Sequence, residues 1–558
     1  MLSPLWPLAT VLACGAVGAA LISAWLSPRL QPPEHPPRFE DATAAAGLPV
    51  SGGEPEAADA EPPSTLPGAV AFLDFDGDGR PDLLALAPPR WPSASALLAA
   101  TPGCALYHND GNGRFSDATR GSGLAAPPLP MSVAIGDYAN EGRPDIFITG
   151  VGGNRLFHNL GNGRFEDVTD AAGVRGDNHV WSSGAVWLDI DGDGKLDLVV
   201  CNYARWPRGA DLSAALGAER AGPSYGAPAG FASCFPTVYR NLGGGRFKDV
   251  TRASGLEVLD RQTGFPRAFP LAVAAVDANG DGRLDLLFTY QSGEDVLFLN
   301  QGNGTFRPAA PGSVRREGAS ADIAATGGGP NFLDLSPADS RFDALRRAGL
   351  LFEPDGAAPA GVCPLRYKLG VALIDAGLNG RFDIVSAEGL AEPGLERFDG
   401  LPSLRSRPLL LRNLDGRWQP AAIAEAGRPA RLRGVAVADI DGSGLLSVAL
   451  GQYGGPPRLL RNRTRAHHGW LRVDLVGTKT QRDGGGAEVD VYTPRRMLRQ
   501  TMVPAMGFMS QSESTLTFGL GDDSRIRRVV VRWPSGLTQQ VPSPAPDQRL
   551  VITEPSAP

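Results

Sequence analysis

The sequence predicts an all-β protein: a β-propeller of repeated four-stranded units followed by a small β-sandwich-like domain. Three observations predict it. An acidic loop recurs along the chain, an Asn-Gly hairpin alternates with it, and beyond residue 465 the repeat gives way to strands of period two.

Bulk composition narrows the class. A chain of 558 residues can bury a large core, and 42% hydrophobic with 20% charged residues is globular rather than disordered. The 71 glycines and 49 prolines follow no collagen period and suit many short strands joined by turns. A net charge of −7 without a basic stripe argues against nucleic acid as a partner.

At the start of the chain, Leu5 to Leu26 carries no charge and then meets Ser27-Pro28-Arg29. About 20 apolar residues match a bilayer core. No Lys or Arg precedes them, so residues 1–30 read first as an uncleaved N-terminal membrane anchor and second as a cleaved signal peptide. The flanking Arg29 alone fixes no orientation; the acidic loops below, of a kind useful where calcium is abundant, place the body outside the cytoplasm, at the periplasmic or cell surface or secreted. The cysteines are Cys14, Cys104, Cys201, Cys234 and Cys363, with no C-x-x-C pair. Export would permit disulfides, Cys201 with Cys234 being favoured because they bracket one insertion; buried thiols are the alternative.

The first acidic loop is Asp74-Phe-Asp-Gly-Asp-Gly-Arg-Pro-Asp82, and close copies occupy 189–197 and 277–285. Such a loop offers side-chain oxygens at its first, third, fifth and ninth positions and a backbone carbonyl at the seventh. Ca²⁺ takes six to eight oxygens at about 2.3–2.6 Å, so the expected ligands are Asp74, Asp76, Asp78 and Asp82; Asp189, Asp191, Asp193 and Asp197; and Asp277, Asn279, Asp281 and Asp285. No Glu stands at a twelfth position and no helical period follows, which excludes an EF-hand. A short apolar strand follows instead. Two copies are less complete. Loop 137–145 keeps Asp137, Glu141 and Asp145 but has Ala139 third, and loop 375–383 keeps Asp375, Asn379 and Asp383 but has Gly377 third. Loop 439–447 carries Ser443 and Ser447 and is expected to bind no ion tightly.

The hairpin motif appears as Leu106–Asp117, Leu156–Asp167, Val238–Asp249, Leu297–Phe306 and, worn, Leu410–Trp418. Asn-Gly supplies positive φ at low steric cost, so each copy reads as a tight turn between two strands. Arg38–Thr43 matches only the second half of the motif. Such a fragment at the start of an array is what a ring needs when the N-terminal strand completes its last unit. Loops at Asp74, Asp137, Asp189, Asp277, Asp375 and Asp439, with a degenerate one at Asp339–Asp343, make seven blades the expectation and six the alternative.

These features resemble the FG-GAP/VCBS repeat family, the calcium-loop propellers also found in integrin alpha subunits, over residues 36–465. The resemblance implies a Ca²⁺ cofactor, with the metal stabilising the blades. Beyond Asn462, Trp470–Leu475, Ala487–Val491, Thr515–Phe518 and Val529–Trp533 alternate as half-buried strands. The segments Lys479–Ala487, Gly507–Gln511, Phe518–Gly521 and Trp533–Gly536, with Gln548 and Glu554, resemble the ASPIC/UnbV domain over residues 466–556. Arg482, Asp483 and Gln511 are the polar residues there that merit attention, as a site or as a bonding network bracing the loops.

No catalytic constellation emerges. Gly222–Gly226 matches G-x-S-x-G only in form, and His108 and His158, at equivalent repeat positions, read as blade packing. The favoured function is a non-catalytic, extracytoplasmic, calcium-binding interaction or adhesion module. Its protein or carbohydrate ligand would sit on propeller loops, with insertions 202–235 and 308–365 as candidates and Tyr203, Trp206, Tyr225 and Phe231 as aromatic contacts. The alternative is an enzyme or accessory subunit acting on a polysaccharide or a secondary metabolite.

Overall fold

The computed structural model describes residues 36–50, 68–86, 103–127, 129–205, 232–259, 266, 270–290, 296–309, 368–388, 405–414, 417–423, 427–453, 455–465, 468–503, 509–523 and 525–556. The expected N-terminal anchor, Cys14, Cys363, the 339–343 loop, the Gly222–Gly226 segment, and Trp206, Tyr225 and Phe231 lie outside them. Among the described residues no helix is long and apolar enough to cross a membrane.

Six four-stranded antiparallel blades, A to F in chain order, are present among the described residues. Blade A consists of Val70–Leu73, Asp82–Leu86, Cys104–Gly111 and Arg114–Asp117. Blades B, C, D and E begin at Leu129, Val180, Pro270 and Lys368 and repeat the same up-and-down order. Blade F takes three strands from Leu432–Ala438, Ser447–Gln452 and Gly455–Asn462, and its fourth is Phe39–Asp41. Phe39 pairs with Asn462, Glu40 with Arg461 and Asp41 with Leu460. The half-motif at the N-terminus therefore completes the last blade, as its sequence predicts. Residues 310–367, outside the described ones, connect blades D and E.

Period-two alternation explains the packing. Within one strand, Val70 and Phe72 point to blade F and join Ala436, Ala438 and Leu459, while Ala71 and Leu73 point to blade B and join Val133, Ile135 and Ile148. Equivalent cores lie between blades B and C, C and D, and E and F. Both faces of the inner strands of blades A, B, C and F are buried, which is why these strands read as nearly unbroken apolar runs, whereas Leu271, Ala272, Ala274 and Val276 of blade D are half-buried.

The acidic loops join the first and second strands of each blade and the Asn-Gly hairpins join the third and fourth. Antiparallel order places both at one end of the ring. Insertions 202–235 and 308–365 depart from the opposite end. Asn112 and Asn162 take φ of 55° and 51°, the left-handed conformation the hairpin requires.

The C-terminal domain packs a three-stranded sheet (Leu516–Gly521, Gly469–Val476, Gln548–Thr553) against a four-stranded one (Met497–Thr501, Glu488–Tyr492, Arg528–Arg532, Thr538–Pro542). Leu471, Val473, Val489, Val491, Phe518 and Trp533 fill the space between them. One expectation is corrected. Cys201 and Cys234 are free thiols: Cys201 is wholly buried between blades C and D, while Cys234 stays half-buried beside Ala232. Met502 fills the C-terminal core, and Met509 packs into the propeller core between blades A and B.

Candidate functional site

All six acidic loops meet the C-terminal domain. Arg549 donates to the Gly79 carbonyl, and the Arg482 N–H donates to Asn140 Oδ1 at 2.9 Å. Gly194 lies against the Lys479 carbonyl, and Gly486 beside the Gly282 carbonyl. Arg496 donates to the Asn379 carbonyl at 2.8 Å, and the Trp470 ring covers Gly444. The second domain is thus a cap over the loop-bearing face. Gly519 shows how close the cap comes, because a Cβ there would stand 2.1 Å from Asp375 Oδ2.

A short segment of the cap enters the ring. The Gln511 N–H donates to the Val70 carbonyl at 3.1 Å, and the Gln511 carbonyl accepts from Phe72 N–H at 3.0 Å. Its side-chain amide brackets one residue of blade B, accepting from Ile135 N–H at 2.7 Å and donating to the Ile135 carbonyl at 3.0 Å. Ser512 Oγ accepts from Val437 N–H at 3.1 Å in blade F. Val70, Ile135 and Val437 belong to the innermost strands of three adjacent blades, so residues 510–513 plug the centre of the ring from the capped side. Gly434 admits the segment, since a Cβ there would lie 2.2 Å from Ser510 Oγ. Gln511 is therefore a bracing residue at the interface.

Within a loop, the first carboxylate shapes the turn and the ninth anchors it. Asp74 Oδ1 accepts from Gly77 and Asp78 N–H, and Oδ2 from Gly79 N–H at 2.8 Å. Asp82 accepts from Phe75 N–H at 3.1 Å and from Asn109 N–H at 2.7 Å. Loops 189–197 and 277–285 repeat this geometry. Carboxylate oxygens of Asp74, Asp76 and Asp82 lie within 4.8 Å of one another, as do those of Asp189, Asp191 and Asp197. The fifth-position acids turn aside instead: Asp78 to Arg80, Asp193 to Lys195 at 2.6 Å, and Asp281 to Arg283. Asn279 Nδ2 donates to Asp281 Oδ2 at 2.9 Å.

The donors fit a hard cation. They are carboxylate oxygens, and Asp191 Oδ1 is buried without a hydrogen-bond partner. Burial pushes Asp82, Asp197 and Asp285 up to about 7 and raises Asp74, Asp189 and Asp277, although backbone N–H groups oppose it. Clustered, desolvated carboxylates of this kind are stabilised as anions by a bound positive charge.

The other loops are filled differently. Arg472 of the cap lies 3.3 Å from Asp439 Oδ2 and 2.5 Å from Glu513 Oε2, both deeply buried, while Arg461 pairs with Asp441. A guanidinium thus neutralises the first carboxylate of loop 439–447. In loop 375–383, Asp375 accepts from Asn379 and Gly380 N–H and is pushed by burial to about 7. Asn379 accepts from Arg381 N–H and Asp383 from Asn413 N–H, both at 2.9 Å. In loop 137–145, Asp483 of the cap accepts from Asp137 N–H at 3.1 Å.

The histidines pack as expected, His108 edge-on to Phe75 and His158 edge-on to Tyr138, and each also reaches an acid. His108 Nε2 lies 3.1 Å from Asp76 Oδ2, and His158 Nδ1 lies 3.0 Å from Asp145 Oδ1, so both lean over the acidic loop of their own blade. Arg240 holds the same position in blade C, 2.5 Å from Asp191. Sequence reasoning missed this cation beside the hairpin asparagine; its recurrence as His, His and Arg is the signal that could have revealed it.

Residues 96–148, 138–200 and 277–336 match the model of the FG-GAP-like repeat, and residues 477–558 match that of ASPIC and UnbV. Cartilage acidic protein 1 of Xenopus tropicalis is 24% identical over 304 residues, which is 54% of this chain and 38% of that protein. The chain thus spans well under half of that relative's length. Among solved structures, an Agrocybe aegerita lectin that recognises non-reducing terminal N-acetylglucosamine is 16% identical, with a TM-score of 0.30 over 82% of this chain and 87% of its own. A putative gluconolactonase is 10% identical, with a TM-score of 0.31 over 76% and 98%. With the family matches set on this geometry, the chain carries FG-GAP-like repeats in its propeller and an ASPIC and UnbV domain over the loop-bearing face.

Proposed function

We propose that this chain is a non-catalytic, calcium-stabilised binding module that works outside the cytoplasm. The observation that carries the calcium reading is the convergence of Asp189, Asp191 and Asp197 around a buried, unpartnered Asp191 oxygen. Calcium neutralises the loop carboxylates and stiffens the face on which the cap rests, which makes the metal structural. Because the cap covers that face, the protein or carbohydrate ligand binds at the opposite end, where insertions 202–235 and 308–365 depart. An extracytoplasmic location matches loops that need abundant calcium, and the apolar segment 5–26 is the proposed membrane anchor.

Calcium titration calorimetry and thermal unfolding of the chain, with and without EDTA, test this reading. Calcium should raise Tm, and Asp76→Ala and Asp191→Ala should each remove one site; a site filled to 100 times its Kd stabilises by about 2.7 kcal/mol. No binding and no shift would overturn it.

A further inference from the structure

Blade F departs from its neighbours at the end of its inner strand that the cap leaves open. Each inner strand enters its blade from that end and runs toward the acidic loop. Blades B and C bury apolar side chains there, Leu129, Met131 and Trp181. Blade F buries two arginines instead. Arg431, just ahead of Leu432–Ala438, is 4% exposed and Arg433 is 1% exposed. Leu432 between them points into the core shared with blade E. Arg433 faces blade A, where a Cβ on Gly68 would stand 2.9 Å from its own Cβ, and its Nη1 donates to the Leu432 carbonyl at 2.8 Å.

The charge of Arg431 has no counter-ion. Its guanidinium lies 5.6 Å over the Tyr453 ring, which belongs to the turn between Ser447–Gln452 and Gly455–Asn462 at the same open end. Its Nε is buried with no hydrogen-bond partner, and among the described residues no carboxylate pairs with it. Asp41, which lies against Gly427, is turned to Arg458 at 4.0 Å. The surrounding chain adds charge of the same sign. Residues 405–407 and 427–433, joined by the paired Ser406 and Ala430, hold five arginines and no acid. Arg472 is the internal comparison: it is buried to the same degree but stands between Asp439 and Glu513. Desolvating a guanidinium is costly unless an anion meets it. One buried arginine is charge-compensated by the protein, and the other is left for a ligand.

We propose that the open end of the seam between blades F and A binds an oxyanion, the carboxylate or sulfate group of a ligand, on the Arg431 guanidinium. The planar fork presents paired N–H groups to two oxygens of such a group. Tyr453 holds the fork by its ring face, and Arg433 on the same strand adds a second positive charge. The inference rests on the reading of the uncapped end as the ligand face, and it makes that ligand an acidic one.

The test uses the full-length chain, wild type and Arg431→Met, with calcium present. Each is titrated calorimetrically at constant ionic strength with inorganic sulfate, with galacturonate and with neutral galactose. Wild type should bind at least one of the two anions and not galactose, and Arg431→Met should bind that anion about tenfold more weakly or worse. Binding of sulfate alone or of galacturonate alone names the group. Ligand-free stability is the second readout. Met at 431 removes a buried charge that has no partner, so Tm should stay level or rise. A fall in Tm, or a variant that does not fold, would show that the chain itself partners Arg431 and overturns the proposal, as would equal anion binding by both proteins. No anion bound by wild type overturns the oxyanion site; if EDTA still lowers Tm in the same samples, the calcium-stabilised module stands without it.

Discussion

The side-chain amide of Asn109 donates to the backbone carbonyl of Ile440, 3.1 Å away across 331 residues of chain. Asn109 belongs to the hairpin of blade A, and Ile440 is the second residue of the acidic loop of blade F. The same bond links Asn159 to Phe75, Asn241 to Tyr138 and Asn462 to Ala376. At these four positions the two repeated motifs interlock, the asparagine holding the loop of the preceding blade. Between Asn109 and Ile440 this bond closes the ring.

Asn159→Ala should be among the more damaging polar substitutions. It removes donors to Phe75 and Pro144 and the acceptor for Gly161 N–H, leaving buried groups unsatisfied. Each orphaned group costs about 1–3 kcal/mol, so a loss of about 3 kcal/mol is expected in denaturant unfolding. A change below about 0.5 kcal/mol would mean that water replaces the asparagine.

Gln511→Ala should loosen the cap. The Ile135 N–H and carbonyl would each lose their side-chain partner at a buried position. A cost of about 2–3 kcal/mol is expected, with faster proteolysis between the domains. Gln511→Glu should cost at least as much, since a carboxylate would face the Ile135 carbonyl. Unaltered proteolysis in both variants would contradict the plug.

Arg472→Met should destabilise by about 3–5 kcal/mol, because Asp439 and Glu513 would keep buried charges without a partner. Thermal unfolding measures this directly. A variant as stable as wild type would show that the triad is replaceable by packing alone.

Glu554 predicts an acid-sensitive cap. Burial pushes its carboxyl up, but donors from Ser535, Thr480, Lys479 and Thr478 outweigh that and hold it at about 2, below its usual 4.5. A lowered folded pKa contributes stability that is present above the unfolded value and is lost as pH falls toward the folded one. The cap should lose stability between about pH 4.5 and 2, and Glu554→Gln should flatten that dependence while costing about 2 kcal/mol at neutral pH. The check is the unfolding midpoint against pH for both proteins. Parallel profiles would refute the assignment.

Much of the fold was legible because its signals are local. Asn112 before Gly113 dictates a left-handed turn, Val70–Leu73 reads as a buried strand, and Arg38–Thr43 matches half a hairpin. Each lies within a few residues of what it determines. The partners of His108, the free state of Cys201 and the role of Gln511 were not legible, because each is settled by a group from another strand or from the other domain.

By itself the sequence determined the strands, the turns, the acidic loops as oxygen-rich turns, the strand that closes the ring and the presence of a second β domain. These follow from backbone preference, side-chain period and donor chemistry over short spans. Only the tertiary structure decided that the acidic loops lie beneath that second domain. It also decided that Arg472 pairs with the first carboxylate of one loop, and that Asp483 reaches another. Those outcomes depend on distances between residues hundreds of positions apart, set by how the blades close on one another and where the cap comes to rest.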